Sequence, residues 1–371
     1  MTHSAPGRQS PADGRPSGPD TPRIAVDLLG GDDAPAVVVD GALLACRADS
    51  DLNLLLVGPR SVADEVTAAL PAEARARVAV LSVERGVGMG DPAAHGADPQ
   101  TSIGAAVLAL ASARVDAVVS AGASGATVAA AVMGLGRMTG VRRPALAAIL
   151  PGVNGPLVLL DVGAGMQVKP VDLVQHAALG VAYAHLGAGL ARARVGLLSV
   201  GAEAGKGDRL RLAADAALRL HSFPDATYVG PVEGHDVVTG ARADVVVTDG
   251  FTGNVLLKGV EAALAAAPGS FPPTVVPRAA ALLGVAGTVV VCHGAATGED
   301  LASGLALASR LVRADVVRRL AAAGGLPSAA GHPHHEAAEG ADRSPGTAGS
   351  VSDSRNVGSA EHPAALEEVQ R

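Results

Sequence analysis

A short apolar run, a glycine-rich turn and an Ala/Leu-rich amphipathic stretch follow one another six times along the chain. Ile24–Leu28 leads through Gly30, Gly31 and Asp32 into 37–46. Residues 116–119 lead through 121–125 into 127–133, and 157–160 through 161–165 into 173–186. Residues 195–200 lead through 201–207 into 210–220, 244–247 through 249–253 into 255–266, and 288–291 through 293–298 into 301–312. The apolar runs are short and β-branched, without alternation of apolar and polar residues. That pattern predicts strands covered on both faces, as in a parallel sheet. Strands alternating with helical stretches predict βαβ units, hence an α/β fold. Further strands are expected at 52–57, 78–83 and 145–150.

The pattern stops at both ends. Residues 1–22 and 321–371 are rich in Pro, Gly, Ser and Asp. They have too little apolar surface to offset the entropy of ordering, and are expected to be disordered tails around a 23–320 catalytic domain. Hydrophobic residues make up 49% of the 371, yet only 1% are aromatic and none is Trp. The core must therefore be built from Ala, Val and Leu. A formal net charge of −7 with almost no aromatics argues against nucleic acid as a partner. The two cysteines, Cys46 and Cys292, do not make a disulfide framework. No secretory leader or long uninterrupted apolar run is legible, so the chain is expected to be cytoplasmic.

Ligands of open α/β sheets gather at the carboxyl ends of strands, and six glycine-rich turns are expected to converge there. Backbone N–H groups at a helix N-terminus suit phosphate. Gly201–Gly207 reads G-A-E-A-G-K-G, one residue short of a P-loop and without its Ser/Thr. Residues 122–125 lack the spacing of a nucleophile elbow. No G-x-G-x-x-G opens a helix after a strand, so no motif implies a dinucleotide or other cofactor. His332, His334 and His335 cluster in the C-terminal tail, and His176 and His185 share a predicted helix. Neither set implies a metal. His293, directly after a strand, points at the ligand face or packs locally. Lys206 is a ligand contact or a solvated loop charge. Asn254 faces substrate or caps its helix.

Eight ordered segments carry a resemblance. They are IAVDLLGGDDAP, VVSAGASGA, RPALAAILP, LLDVGAG, GLLSVGAEAGKG, VGPVEGHDV, DVVVTDGFTGNVLLK and LLGVAGTVVVCHG. Together they resemble the PlsX phosphate acyltransferases over roughly 23–320, with DGFTGNVLLK the most specific. The resemblance implies a mostly parallel sheet with helices on both faces, of the isocitrate/isopropylmalate dehydrogenase and phosphotransacetylase type. It implies attack of inorganic phosphate on an acyl-acyl carrier protein thioester, giving an acyl phosphate for phospholipid synthesis. It implies a homodimer, a membrane glycerol-3-phosphate acyltransferase as downstream partner, and a peripheral place at the membrane.

Carried onto this sequence, the family motifs nominate Lys206, His293 and Asn254 as catalytic. They nominate Gly30, Gly31, Asp32, Ser124, Gly125, Asp161, Gly163, Glu203, Glu233, Asp249, Gly250 and Gly253 for phosphate or substrate. Phosphate is its own nucleophile, so the site needs an anion cradle beside a carbonyl carbon. Backbone N–H groups of Gly125, Gly163 and Gly253 with the Lys206 charge are expected to supply it. His293 is expected to donate to the oxyanion or to the leaving thiolate.

The sequence also departs from the family. Ala123-Ser124 stands for Asn-Thr, Gly165 for Asn, and residues 91–104 hold no Lys or Arg. The acidic pattern after Gly201 is reduced to Glu203, and the link between Lys258 and Leu282 is short. A divergent paralogue that only binds acyl carrier protein, and a coenzyme-A-dependent phosphotransacylase, are the alternatives these departures leave open.

Overall fold

The computed structural model describes residues 20–187, 189–203, 205–266 and 279–322. The expected tails lie outside these apart from residues 20–22 and 321–322, as do the three tail histidines and residues 267–278 of the short link.

The strands are β1 (Arg23–Asp27), β2 (Asn53–Gly58), β3 (Val78–Ser82), β4 (Ala117–Ser120), β5 (Ala145–Gly152), β6 (Gly155–Leu160), β7 (Ala193–Leu198), β8 (Ala226–Val232), β9 (Val245–Val247), β10 (Ala279–Leu283) and β11 (Thr288–Cys292). The helices are α1 (Ala36–Ala48), α2 (Arg60–Ala69), α3 (Ala72–Arg75), α4 (Ser102–Ala111), α5 (Ser124–Gly134), α6 (Pro170–Gly187), α7 (Arg209–Leu220), α8 (Gly234–Thr239), α9 (Gly250–Ala266), α10 (Gly298–Arg313) and α11 (Val316–Ala322). One sheet holds all eleven strands in the order β3-β2-β1-β4-β11-β10-β5-β6-β9-β7-β8.

Successive strand residues feed two cores, one on each face. Ile24, Val26, Leu54, Leu56, Val245 and Val247 pack with α1, α2, α6, α7, α10 and α11. Ala25, Leu55, Val57 and Val246 pack with α4, α5, α8 and α9. Both faces are apolar, which is why the strand sequences show no alternation.

The sheet reverses in its middle. Strand β10 runs antiparallel to β11 and β5, and β5 antiparallel to β6. Strands β1, β4 and β11 therefore point one way, and β6, β9 and β7 the other. This corrects the expectation of six converging turns: three leave one edge of the sheet and three leave the opposite edge. Two strands went unpredicted. Strand β10, AAALL, has no β-branched residue, and β8 is interrupted by Gly230-Pro231. Helices α2, α3, α4, α8 and α11 also went unpredicted. Among the described residues no helix is long and apolar enough to cross a membrane.

Candidate functional site

At the carboxyl ends of β1, β4 and β11 the chain closes on itself through small residues. Asp32 N–H donates to Gly294 O at 2.8 Å, tying the β1 turn to the β11 turn. Gly30 lies so close to the β4 turn that a Cβ there would stand 2.7 Å from Gly122 N and 2.8 Å from Ser120 Oγ. Only glycine fits. Beneath it Asp27 is fully buried and accepts from Ser120 Oγ at 2.8 Å and from Leu29 N–H at 3.1 Å. Burial pushes its carboxyl up from the ordinary value, against these hydrogen bonds. Ser124 and Gly125 open α5 beside this group, Gly125 exposed, and Gly31 sits against Gly294 O.

His293 also leaves this edge, but its ring turns to α9. Its Nδ1 lies 3.4 Å from Lys258 Nζ, and its Nε2 lies 3.0 Å from Glu261 Oε1. A carboxylate orienting an imidazole is a frame for moving a proton.

The opposite edge is organised by carboxylates. Asp161 is fully buried at the end of β6, and its two oxygens accept from the N–H groups of Leu146, Gly163, Ala164 and Gly165 at 2.6–3.0 Å. Asp249, after β9, accepts from Thr252 N–H at 2.9 Å and Thr252 Oγ1 at 2.8 Å, and forms a buried ion pair with Arg211. Burial would raise the Asp249 pKa. The Thr252 hydrogen bonds and the Arg211 charge outweigh it and hold the carboxylate below its ordinary range. Arg211 also reaches Thr248 Oγ1 at 3.2 Å, Thr252 Oγ1 at 3.0 Å and Asp208 Oδ2 at 2.9 Å. Helix α9 then packs against the β6 turn so closely that a Cβ on Gly253 would meet Asp161 O at 1.9 Å.

These bonds consume backbone donors that the sequence suggested for phosphate. Gly163 N–H is held by Asp161, Gly250 N–H donates to Gly165 O at 2.8 Å, and Gly253 N–H to Asp249 O at 2.9 Å. Asp161 is itself enclosed and occupied by the turn it shapes. Asn254 does not cap α9. It lies in the second turn, Asp249 holds the cap position, and the half-buried Asn254 amide makes no hydrogen bond among the described residues. Glu203 and Lys206 are exposed in the β7 turn, and both side chains lie over Gly201. Lys206 Nζ has no ion-pair partner among the described residues. Glu233 starts α8, where its N–H donates to Asp236 Oδ2 at 3.0 Å and His235 Nδ1 lies 3.7 Å from its Oε2.

The candidates thus fall into two groups. Gly30, Gly31, Asp32, Ser124, Gly125 and His293 belong to one edge. Asp161, Gly163, Glu203, Lys206, Glu233, Asp249, Gly250, Gly253 and Asn254 belong to the other. Helix α9 joins them: seventeen residues and about 25 Å long, it starts at the Asp249 turn and meets His293 at Lys258 and Glu261, about 14–18 Å along. Sequence reasoning missed Arg211, Thr252 and Glu261, which fix these side chains. The only signal for Arg211 was a charge in the first turn of an amphipathic helix. Both thiols are buried, and burial pushes Cys292 up to about 12 and raises Cys46. Neither is poised as a nucleophile. Among the described residues no group of three or more His, Cys, Asp or Glu is placed to hold a metal ion.

A family described as "Fatty acid synthesis protein" matches residues 22–268. The chain is 40% identical over 321 residues to a phosphate acyltransferase of Thermobifida fusca, covering 78% of this chain and 88% of the relative. It is 36% identical over 327 residues to a phosphate acyltransferase of Heliobacterium modesticaldum, covering 80% and 95%. Among solved structures, a phosphotransacetylase of Streptococcus pyogenes is similar with a TM-score of 0.55 at 14% identity, over 80% of this chain and 94% of that one. The EutD phosphotransacetylase of Staphylococcus aureus is similar with a TM-score of 0.52 at 13% identity, with the same coverage. At such identities these two likenesses speak for the fold.

Proposed function

The chain belongs to the phosphate acyltransferase family, and on that premise we propose that it transfers a fatty acyl group from acyl-acyl carrier protein to inorganic phosphate. The acyl transfer to phosphate follows from the family. The carrier protein as donor, a homodimer, and a glycerol-3-phosphate acyltransferase as consumer of the product are the finer parts of the proposal. They rest on the resemblance of the eight segments.

The observation that carries the reaction type is that, among the described residues, neither thiol is poised as a nucleophile while the nominated polar side chains stay open to a ligand. Both cysteines are buried and hold their protons, while Lys206, Asn254 and His293 present unburied polar atoms. Phosphate oxygen attacks the thioester carbonyl carbon, the oxyanion forms, and the C–S bond breaks as the carbonyl returns. The leaving thiolate takes a proton and departs as a thiol. Lys206 contributes a positive charge for the incoming anion. The Asn254 amide, one helical turn before the Lys258 that meets His293, is the donor for the oxyanion. His293, oriented by Glu261, supplies the proton to sulfur.

The test mixes purified protein with palmitoyl-acyl carrier protein and follows thiol release with and without phosphate. Phosphate-dependent release with a hydroxylamine-trappable product is expected. Equal or faster release from palmitoyl-coenzyme A would replace the carrier protein as donor, and no release from either would refute the reaction.

A further inference from the structure

The turns of β6 and β9 spend their N–H groups on Asp161, Gly165 and Asp249, so they offer an anion little. Two residues of the β6 turn, however, also line a cavity of about 470 Å³ that no motif had indicated. Its walls are Val128 and Val132 of α5, Pro144, Ala164 and Gly165, and three arginines, Arg137, Arg142 and Arg143. Gly165 joins the cavity to the candidate site, because its carbonyl accepts from Gly250 N–H at the start of α9.

The loop carrying the arginines is held from below by α6. Gln175 Oε1 accepts from Arg142 N–H at 2.9 Å, and Gln175 Nε2 donates to Gly140 O at 2.8 Å. His176, fully buried, places Nε2 3.3 Å from Arg143 O. Met138 N–H donates to Gly284 O at 2.9 Å, and the Arg137 guanidinium donates to Arg142 O. A loop so anchored presents its side chains with little ordering left to lose.

The charges do not balance. Buried Asp172 sits 2.9 Å from Arg142 Nε and 3.7 Å from Arg143 Nε. Among the described residues Arg137 has no carboxylate partner, and Asp172 is the one carboxylate that Arg142 and Arg143 meet. Three cations share one anion around the cavity, and with Arg137 and Arg143 exposed the excess positive charge faces an incoming anion. Guanidinium forks match the oxygens of phosphate.

We infer that the Arg137–Arg142–Arg143 cavity binds a phosphate group of one of the two substrates. This rests on the acyl transfer to phosphate proposed above, whose reactants carry such a group in two places. One is the inorganic phosphate acceptor. The other is the phosphodiester of the pantetheine arm on the thioester donor. The site takes over from the basic residues missing in 91–104 and from the consumed glycine N–H groups.

The test uses Arg137→Gln, Arg143→Gln and the double variant in the full chain. Arg142 is kept because it pairs with buried Asp172, and Arg319→Gln, on an exposed stretch of α11, serves as control. Thermal unfolding verifies that each variant is folded. The KM of one substrate should rise roughly 10- to 100-fold, the range of charge-assisted hydrogen bonds, while kcat changes little. A rise for phosphate identifies the acceptor site, and a rise for the thioester identifies the donor phosphodiester. Calorimetric binding of inorganic phosphate and of 4′-phosphopantetheine to wild type and variants gives the same answer without turnover. That arm decides the cavity even if the proposed reaction fails. Unchanged KM values, or unchanged binding of both probes, in the folded double variant would overturn the inference.

Discussion

The two edges of the sheet build their turns by different means. Where β1, β4 and β11 end, small residues let backbones approach closely, and the single buried carboxylate, Asp27, is pushed toward its protonated form. Where β6 and β9 end, Asp161 is saturated by four N–H groups, and Asp249 is held ionised by Thr252 and Arg211. The first edge keeps backbone donors near the start of α5. The second has committed its backbone and leaves function to side chains, Lys206 and Asn254 above all. Two kinds of glycine-rich turn therefore read alike in sequence while offering a ligand different atoms.

The contrast breaks most severely at Gly253. Gly253→Val drives a side chain into Asp161 O, and we expect loss of the fold or destabilisation beyond about 4 kcal/mol, read by chemical denaturation. Arg211→Met leaves the buried Asp249 charge unpaired and should cost about 3–5 kcal/mol in the same assay. A pH profile sharpens that result. Because the folded Asp249 pKa is depressed, its contribution is complete above the ordinary carboxylate pKa and is lost as pH falls through the folded value. Arg211→Met should therefore be harmful at neutral pH and progressively less so in acid.

Lys206→Ala reads function without structure. Turnover should fall roughly a hundredfold while the melting temperature stays where it was, since the side chain is exposed. His176 offers a smaller effect. Burial, against the attraction of Asp161, holds it neutral in the fold, whereas the unfolded chain protonates near its ordinary value. Stability should decline as pH falls below about 6.5, by at most about 1.4 kcal/mol per pH unit, and His176→Gln should flatten that slope. Least of all, Gly259→Ala on the same helix as Gly253 meets nothing within 4 Å and should stabilise by about 0.5–1 kcal/mol.

The strands of the fold were legible because they are short, β-branched and apolar on both faces. The reversal at β10 was not. AAALL reads as helix, and only pairing with β11 and β5 makes it a strand. The hairpin between β5 and β6 carried a signal in Asn154-Gly155 that the strand assignments did not use. In the site, Asp249 to Asn254 was legible as a strand-to-helix turn with chemistry. That Asp249 pairs with Arg211 was not, because the partner lies 38 residues away on a helix with its own amphipathic pattern. Nor could the sequence reveal that Asp161 folds back on its own turn. Charged side chains that close locally leave no periodicity to read.

In the proposed reaction phosphate itself attacks the thioester, with no acyl group passing through the protein. Intact-mass spectrometry of the protein incubated with palmitoyl-acyl carrier protein, first without phosphate and then with it, tests this most directly. An unmodified mass is expected in both samples, with acyl phosphate formed only in the second. A palmitoyl adduct in the phosphate-free sample, discharged when phosphate is added, would contradict it.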